Sequence, residues 1–79
     1  MTKSEFIEKI ENGSDIMFDV SNDHYVIFTW MDEGIGIGEQ NKDTPITYFE
    51  NAVDLVENYN IDGVALSKLC DEIKITSYS

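Results

Sequence analysis

The run His24 to Gln40, H-Y-V-I-F-T-W-M-D-E-G-I-G-I-G-E-Q, decides the fold. It is the one place where apolar, β-branched and aromatic residues continue without a break, with a turn signal at its middle. Tyr25, Ile27, Thr29 and Met31 alternate with Val26, Phe28 and Trp30, so both faces of the first half are apolar. A strand of that kind is central in its sheet. It is covered on both faces, or covered on one and adhesive on the other. Asp32-Glu33-Gly34 turns the chain, and Ile35 to Gln40 returns as the second arm of a β-hairpin. Ile35, Ile37 and Glu39 share one face of that arm. Gly34, Gly36 and Gly38 leave the other nearly bare, open to close approach by Phe28 or Trp30.

N-terminal to the hairpin, Thr2-Lys3-Ser4-Glu5 fits a capping box, with Met1 and Phe6 at the staple positions. Phe6, Ile7 and Ile10 then share one helical face, and Asn12-Gly13 ends the helix, with Gly13 expected at positive φ. Asp15 to Val20 alternates as a strand with Ile16, Phe18 and Val20 inward and Asp15, Met17 and Asp19 outward. Ser21-Asn22-Asp23 is a turn by composition.

C-terminal to the hairpin, Asn41 to Thr44 reads as a polar loop, and Pro45 keeps the next segment out of a central strand. Ile46-Thr47-Tyr48 is a short fourth strand at most. Asn51 caps a second helix with Asp54 at the reciprocal position, and Ala52, Leu55, Val56 and Tyr59 form its stripe. Asp62 is expected to cap a third helix, stapled by Ile61 and Leu66, with Leu66, Leu69, Cys70 and Ile73 inward. Lys74 to Tyr78 alternates weakly, as a last edge strand would. The order α-β-β-β-(β)-α-α-(β) predicts one α+β domain over residues 1–79, a small two-layer fold. Its antiparallel three- to four-stranded sheet carries short helices packed on it.

Composition narrows the function. Sixteen acids face five lysines and no arginine, for a formal net charge of −11. Direct nucleic-acid binding and attachment to anionic membranes are disfavoured, because both need Lys and Arg. A protein partner with a basic or apolar surface is favoured. No run approaches the ~20 apolar residues of a membrane span. No secretory signal pattern opens the chain, and the single cysteine suits a reducing compartment, so a cytoplasmic location is expected.

No motif for catalysis or cofactor binding stands out. Gly34-Ile-Gly36-Ile-Gly38 has the wrong spacing for a dinucleotide loop, and no apolar helix follows it. Asn58-Tyr-Asn60-Ile-Asp62-Gly63 resembles the first half of a calcium loop, but Leu69 stands where the closing bidentate Glu belongs. His24, the lone histidine, sits beside Asp23 at a strand start and reads as a solvated side chain. Ser14 and Ser21 lack a strand-to-helix elbow. Cys70 falls on an apolar stripe and reads as a buried, inert thiol. The adjacent pairs Asp32-Glu33 and Asp71-Glu72 diverge too much for acid–base work, but suit a rim that meets a basic partner. A non-enzymatic chain without cofactor or metal is the expectation.

Trp30 is the residue to single out, since tryptophan is enriched at binding hot spots. With Met31, Asp32 and Glu33 it forms the candidate partner-binding site. The commoner fate of such a residue is to pack as core, here over Gly36 or Gly38, and that is the first expectation for Trp30; the contact-surface role is the alternative.

A short acidic helix, then D-I-M-F-D-V-S-N-D-H-Y-V-I, then D-L-V-E-N-Y-N-I-D-G-V-A-L and a terminal I-K-I resemble small acidic proteins of Gram-positive bacteria and their phages. The likeness spans most of the chain, N-Y-N-I-D-G-x-x-L at Asn58 to Leu66 being its most distinctive part. That class carries no activity to transfer. The context it implies includes phage and mobile-element inhibitors, anti-CRISPR proteins among them. The expectation is a small acidic protein-binding protein of inhibitor, immunity or anti-defence type. Two alternatives remain: an acidic nucleic-acid mimic, and a homodimer that buries its own spare face.

Overall fold

A computed structural model describes residues 1–40 and 42–79. Asn41, the first residue of the predicted polar loop, lies outside them. The central hairpin consists of β2 (Asp23–Met31) and β3 (Gly34–Glu39). It is flanked by β1 (Asp15–Val20) on one side and β4 (Thr47–Phe49) on the other. A last strand, β7 (Lys74–Tyr78), pairs outside β1. Among the described residues the sheet has five antiparallel strands in the order β4-β3-β2-β1-β7, with β2 at its centre. The α+β class is as the sequence predicts, with the weakly alternating tail supplying the added strand.

One face of the sheet is covered. Helix α1 (Lys3–Asn12) begins with the predicted capping box: Thr2 Oγ1 accepts from Glu5 N–H, and Glu5 Oε1 accepts from Thr2 N–H, both at 3.1 Å. These bonds satisfy two of the donors that every helix start leaves open. They also hold the Glu5 carboxyl below its ordinary pKa, the backbone bond contributing most. Helix α2 (Ala52–Asn58) is capped by Asn51, whose Oδ1 accepts from Asp54 N–H at 2.8 Å. The Asp54 carboxylate does not reciprocate; it accepts from Asn58 Nδ2 at 2.6 Å, one turn on.

Phe6 and Ile10 of α1, and Ala52, Leu55 and Val56 of α2, meet Ile16, Phe18, Val20, Tyr25, Ile27 and Ile37 of the sheet in one core. Aromatic rings link its layers. Phe6 stands edge-on to Phe18, and Phe18 stacks on Tyr25, both with centroids 5.5 Å apart. Tyr59 then meets both Tyr25 and Phe49 edge-on at 6.3 Å.

The predicted third helix is absent, and its replacement has a local cause. Asp62 and Gly63 both take positive φ, 53° and 81°, forming the two-residue turn of a miniature hairpin between β5 (Asn60–Ile61) and β6 (Val64–Ala65). Asp-Gly is a strong signal for that turn, and it overrides the capping role. The stripe Leu66, Leu69, Cys70 and Ile73 is buried as expected, but two successive 3₁₀ turns, Leu66–Lys68 and Cys70–Glu72, carry it. Cys70 is a buried free thiol; burial pushes its pKa up, and Sγ lies 3.6 Å from Leu66 O.

Gly13 also departs from expectation. Its φ is −102°, not positive. Glycine serves there for space: a Cβ would lie 2.9 Å from Lys9 O and 3.0 Å from the Tyr78 ring.

Burial raises the Tyr25 hydroxyl to a pKa of about 12, with the carboxylates of Glu39 and Asp23 adding to the effect. The unfolded tyrosine ionises near 10, so between about pH 10 and 12 the folded state holds the extra proton. Stability is therefore fully present below pH 10 and is lost as pH rises through the folded value. Urea midpoints measured across that range should fall, and in Tyr25→Phe they should fall less steeply.

Candidate functional site

The second face of the sheet has no layer over it among the described residues, and its residues form a connected apolar surface. The ladders set the rows. Met17, Val26 and Gly38 lie side by side, as do Asp15, Phe28, Gly36 and Tyr48. The predicted aromatic cover of the glycines is not what fills them. Ile46 and Tyr48, from the edge segment, take that space: a Cβ at Gly36 would lie 2.8 Å from Ile46 and 3.1 Å from the Tyr48 ring. The glycines thus let a short edge strand fold its side chains inward over the hairpin. Val26 is 9% exposed yet stands apart from the main core, because it belongs to this second apolar set.

Trp30 does not pack as core. It is 64% exposed, the most exposed large apolar residue of the fold, while Met17 and Tyr48 on the same face are each 38% exposed. Its indole is nevertheless held. Nε1–H donates to Asp15 Oδ1 at 2.6 Å, and the Phe28 ring stands against it at 73° with centroids 6.0 Å apart.

The backbone explains this presentation. Between the pairs Phe28↔Gly36 and Met31↔Gly34, two residues of β2, Thr29 and Trp30, oppose one of β3, Ile35. This is a β-bulge, which re-aims the side chains beyond it. Thr29 ties the bulge down, with its N–H donating to Ser14 O at 2.9 Å and its hydroxyl donating to Gly13 O. Simple alternation assigns Met31 to the same face as Tyr25 and Ile27. The bulge shifts the phase, and Met31 joins the uncovered face, where its Sδ lies 3.8 Å from Tyr48 Oη. A one-residue slip reverses every later side chain.

Of the four predicted site residues, Trp30 and Met31 are therefore brought together on the uncovered face, Met31 half-buried. Asp32 and Glu33 are exposed on the turn that follows. Sequence reasoning missed Asp15 as the indole's anchor, and Ile46 and Tyr48 as part of the surface. Met17 was legible, since the alternation of β1 points it outward.

His24 pairs with Asp19 across the β1–β2 ladder, Nδ1 to Oδ1 at 2.5 Å, not with its neighbour Asp23. The pair opens onto a shallow recess of about 560 Å³ that Glu72 and Lys74 also line. The imidazole is well exposed, which makes this a hydrogen bond on the surface. Asp23 instead faces Lys42, whose Nζ lies 2.8 Å from Glu39 and 3.4 Å from Asp23. Those two bonds raise the lysine pKa, the one to Glu39 most. Among the described residues no group of three or more His, Cys, Asp or Glu is placed to hold a metal ion, and no helix is long and apolar enough to cross a membrane.

The carboxylates surround the molecule. Asp15 and Asp19 lie on the uncovered face and Asp32 and Glu33 at its end. Glu5, Glu8, Glu11 and Glu57 are on the helices of the opposite side, with Glu57 paired to Lys3.

Fold and surface together describe a two-layer α+β domain with one sheet face left open. No protein-family model, no curated protein and no solved structure matches the chain.

Proposed function

We propose that the chain is a non-enzymatic protein-binding module that docks a basic partner onto the uncovered sheet face. The observation that carries this reading is the connected apolar surface of Met17, Val26, Phe28, Trp30, Ile46 and Tyr48, with a 64%-exposed tryptophan in it. A large exposed apolar patch rimmed by polar groups is the usual mark of an interaction site, and tryptophan is a typical anchor. The net charge of −11, with Asp15, Asp19, Asp32 and Glu33 at or beside the patch, supports a partner of opposite sign. Apolar contact would then supply the affinity, and the acids would steer association and fix orientation. Such a module acts by occupying a surface that another molecule needs, which suits an inhibitor or anti-defence role. The lone buried thiol suits a reducing cytoplasm.

The same charge argues against a second copy as the occupant, since each patch would present its acids to the other. A nucleic-acid mimic needs its carboxylates gathered on one side, whereas here both sides carry them.

A tagged chain used to capture partners at low and high salt tests the reading, with Trp30→Ala alongside. Because Trp30 is exposed, the variant should keep its thermal midpoint within a few degrees. It should bind a partner at least about tenfold more weakly, as loss of a hot-spot tryptophan does. A partner retained at high salt by the wild type and lost by the variant is the expected result. A partner lost at high salt and competed off by DNA or RNA would favour the mimic instead.

A further inference from the structure

We infer that the bare side of the Trp30 indole, with the Asp15 carboxylate at its rim, receives an arginine side chain of the partner. This rests on the partner-binding reading above and makes it specific. The indole is 64% exposed, yet its plane is fixed by the 2.6 Å bond to Asp15 Oδ1 and by Phe28 standing against it. An exposed ring held in one orientation offers a π face without the entropy cost of ordering it on binding. Cations are drawn to such faces, to tryptophan most strongly. The fold uses the same contact internally, where Lys9 Nζ sits 5.0 Å from the centroid of the Tyr78 ring. Trp30, at 64% exposed, leaves most of its indole open to a cation from outside.

Arginine fits better than lysine. A guanidinium is planar, weakly hydrated and able to stack on the indole while donating sideways to a carboxylate. Asp15 Oδ1 accepts from Nε1–H, which leaves the carboxylate's second oxygen to accept from a guanidinium. An ammonium is compact and strongly hydrated, and gains less from a half-exposed aromatic face. Asp32 and Glu33 follow Trp30 in the chain and add negative potential at the same end of the sheet.

The chain's one tryptophan gives a unique indole N–H signal in a ¹⁵N-labelled sample of the full chain. The probes are three acetylated, amidated pentapeptides, Leu-Ser-X-Ser-Leu, with X as arginine, lysine or citrulline, titrated at low salt. The arginine peptide should move the indole signal saturably and bind about two- to fivefold more tightly than the lysine peptide. The neutral citrulline peptide should bind no better than the lysine one. Asp15→Asn keeps an acceptor for the indole and removes the charge, and should erase the arginine preference; Trp30→Leu, which has no indole signal and is followed through the amides of Met17, Val26 and Phe28, should do the same. Equal binding of the arginine and lysine peptides, or of arginine and citrulline, would overturn the assignment. If the amides of Met17, Val26 and Phe28 respond to every peptide without discrimination at the indole, the arginine site falls and the sheet-face reading stands. If those amides stay silent while the helix residues Glu5, Glu8 and Glu11 respond, both fall.

Discussion

Phe18→Ala is expected to remove a large share of the domain's stability. Phe18 is fully buried at the middle of β1, edge-on to Phe6 of α1 and stacked on Tyr25 of β2. It joins the helical layer to the sheet, and removing its ring takes away transfer energy and leaves a cavity that both layers border. Such truncations cost roughly 3–5 kcal/mol. A chain of 79 residues has a total stability of roughly 4–12 kcal/mol at ordinary values per residue. The loss is thus about a third or more of the total over most of that range, and the far-ultraviolet circular dichroism of the variant should show a thermal transition lowered by well over 10 °C, or none at all. A variant melting within a few degrees of the wild type would mean that the aromatic stack is not the centre of the core.

Gly34→Ala should be the next most damaging change, for a different reason. Gly34 closes the β2–β3 turn at φ 124°, a conformation that side chains rarely adopt. A Cβ there would also lie 2.5 Å from Phe49 O, a backbone atom of the neighbouring strand. The strain and the clash together cost roughly 2–4 kcal/mol. Gly63→Ala separates the two contributions. Its φ is also positive, at 81°, but nothing lies within 4 Å of the added carbon. It should cost about 1 kcal/mol, the conformational part alone. Urea denaturation of the two variants under identical conditions compares them directly. Equal losses would show that the close packing of Phe49 against the turn does not hold in solution.

Both sites bear on what the sequence could reveal. The hairpin was legible because its cues are local: β-branched and aromatic alternation, then a turn closed by glycine. The cap of α1 was legible for the same reason, since Thr2 and Glu5 are only three residues apart. The segment after Asn60 misled because Leu66, Leu69, Cys70 and Ile73 have helical spacing. Consecutive 3₁₀ turns bury that spacing as well as an α-helix does, and the Asp62-Gly63 turn had already sent the backbone another way. Ile46 and Tyr48 over the glycines could not be foreseen, because that contact depends on which edge β4 joins.

The candidate surface divides in the same manner. That β2 has two apolar faces is visible in its alternation, and so is Trp30 as the residue to examine. Which face the helices cover is a property of the whole sheet. So is the bulge at Thr29 and Trp30, set by an offset between Phe28↔Gly36 and Met31↔Gly34 that neither strand announces alone. That offset turns Met31 toward Tyr48 and away from the core. Asp15 became part of the site only through the pairing that sets it beside Phe28.

The open sheet face is the claim on which the functional reading stands, and acrylamide quenching of the chain's single tryptophan tests it most directly. Acrylamide is neutral, so the strong negative charge neither repels nor concentrates it. Trp30 in the free, folded chain, 64% exposed with Phe28 against one side, should be readily quenched, by a large fraction of the N-acetyltryptophanamide value, at every protein concentration tried. A blue-shifted emission with strong protection from quencher would contradict it, since the face would then be covered; protection that grew with concentration would identify a second copy as the cover.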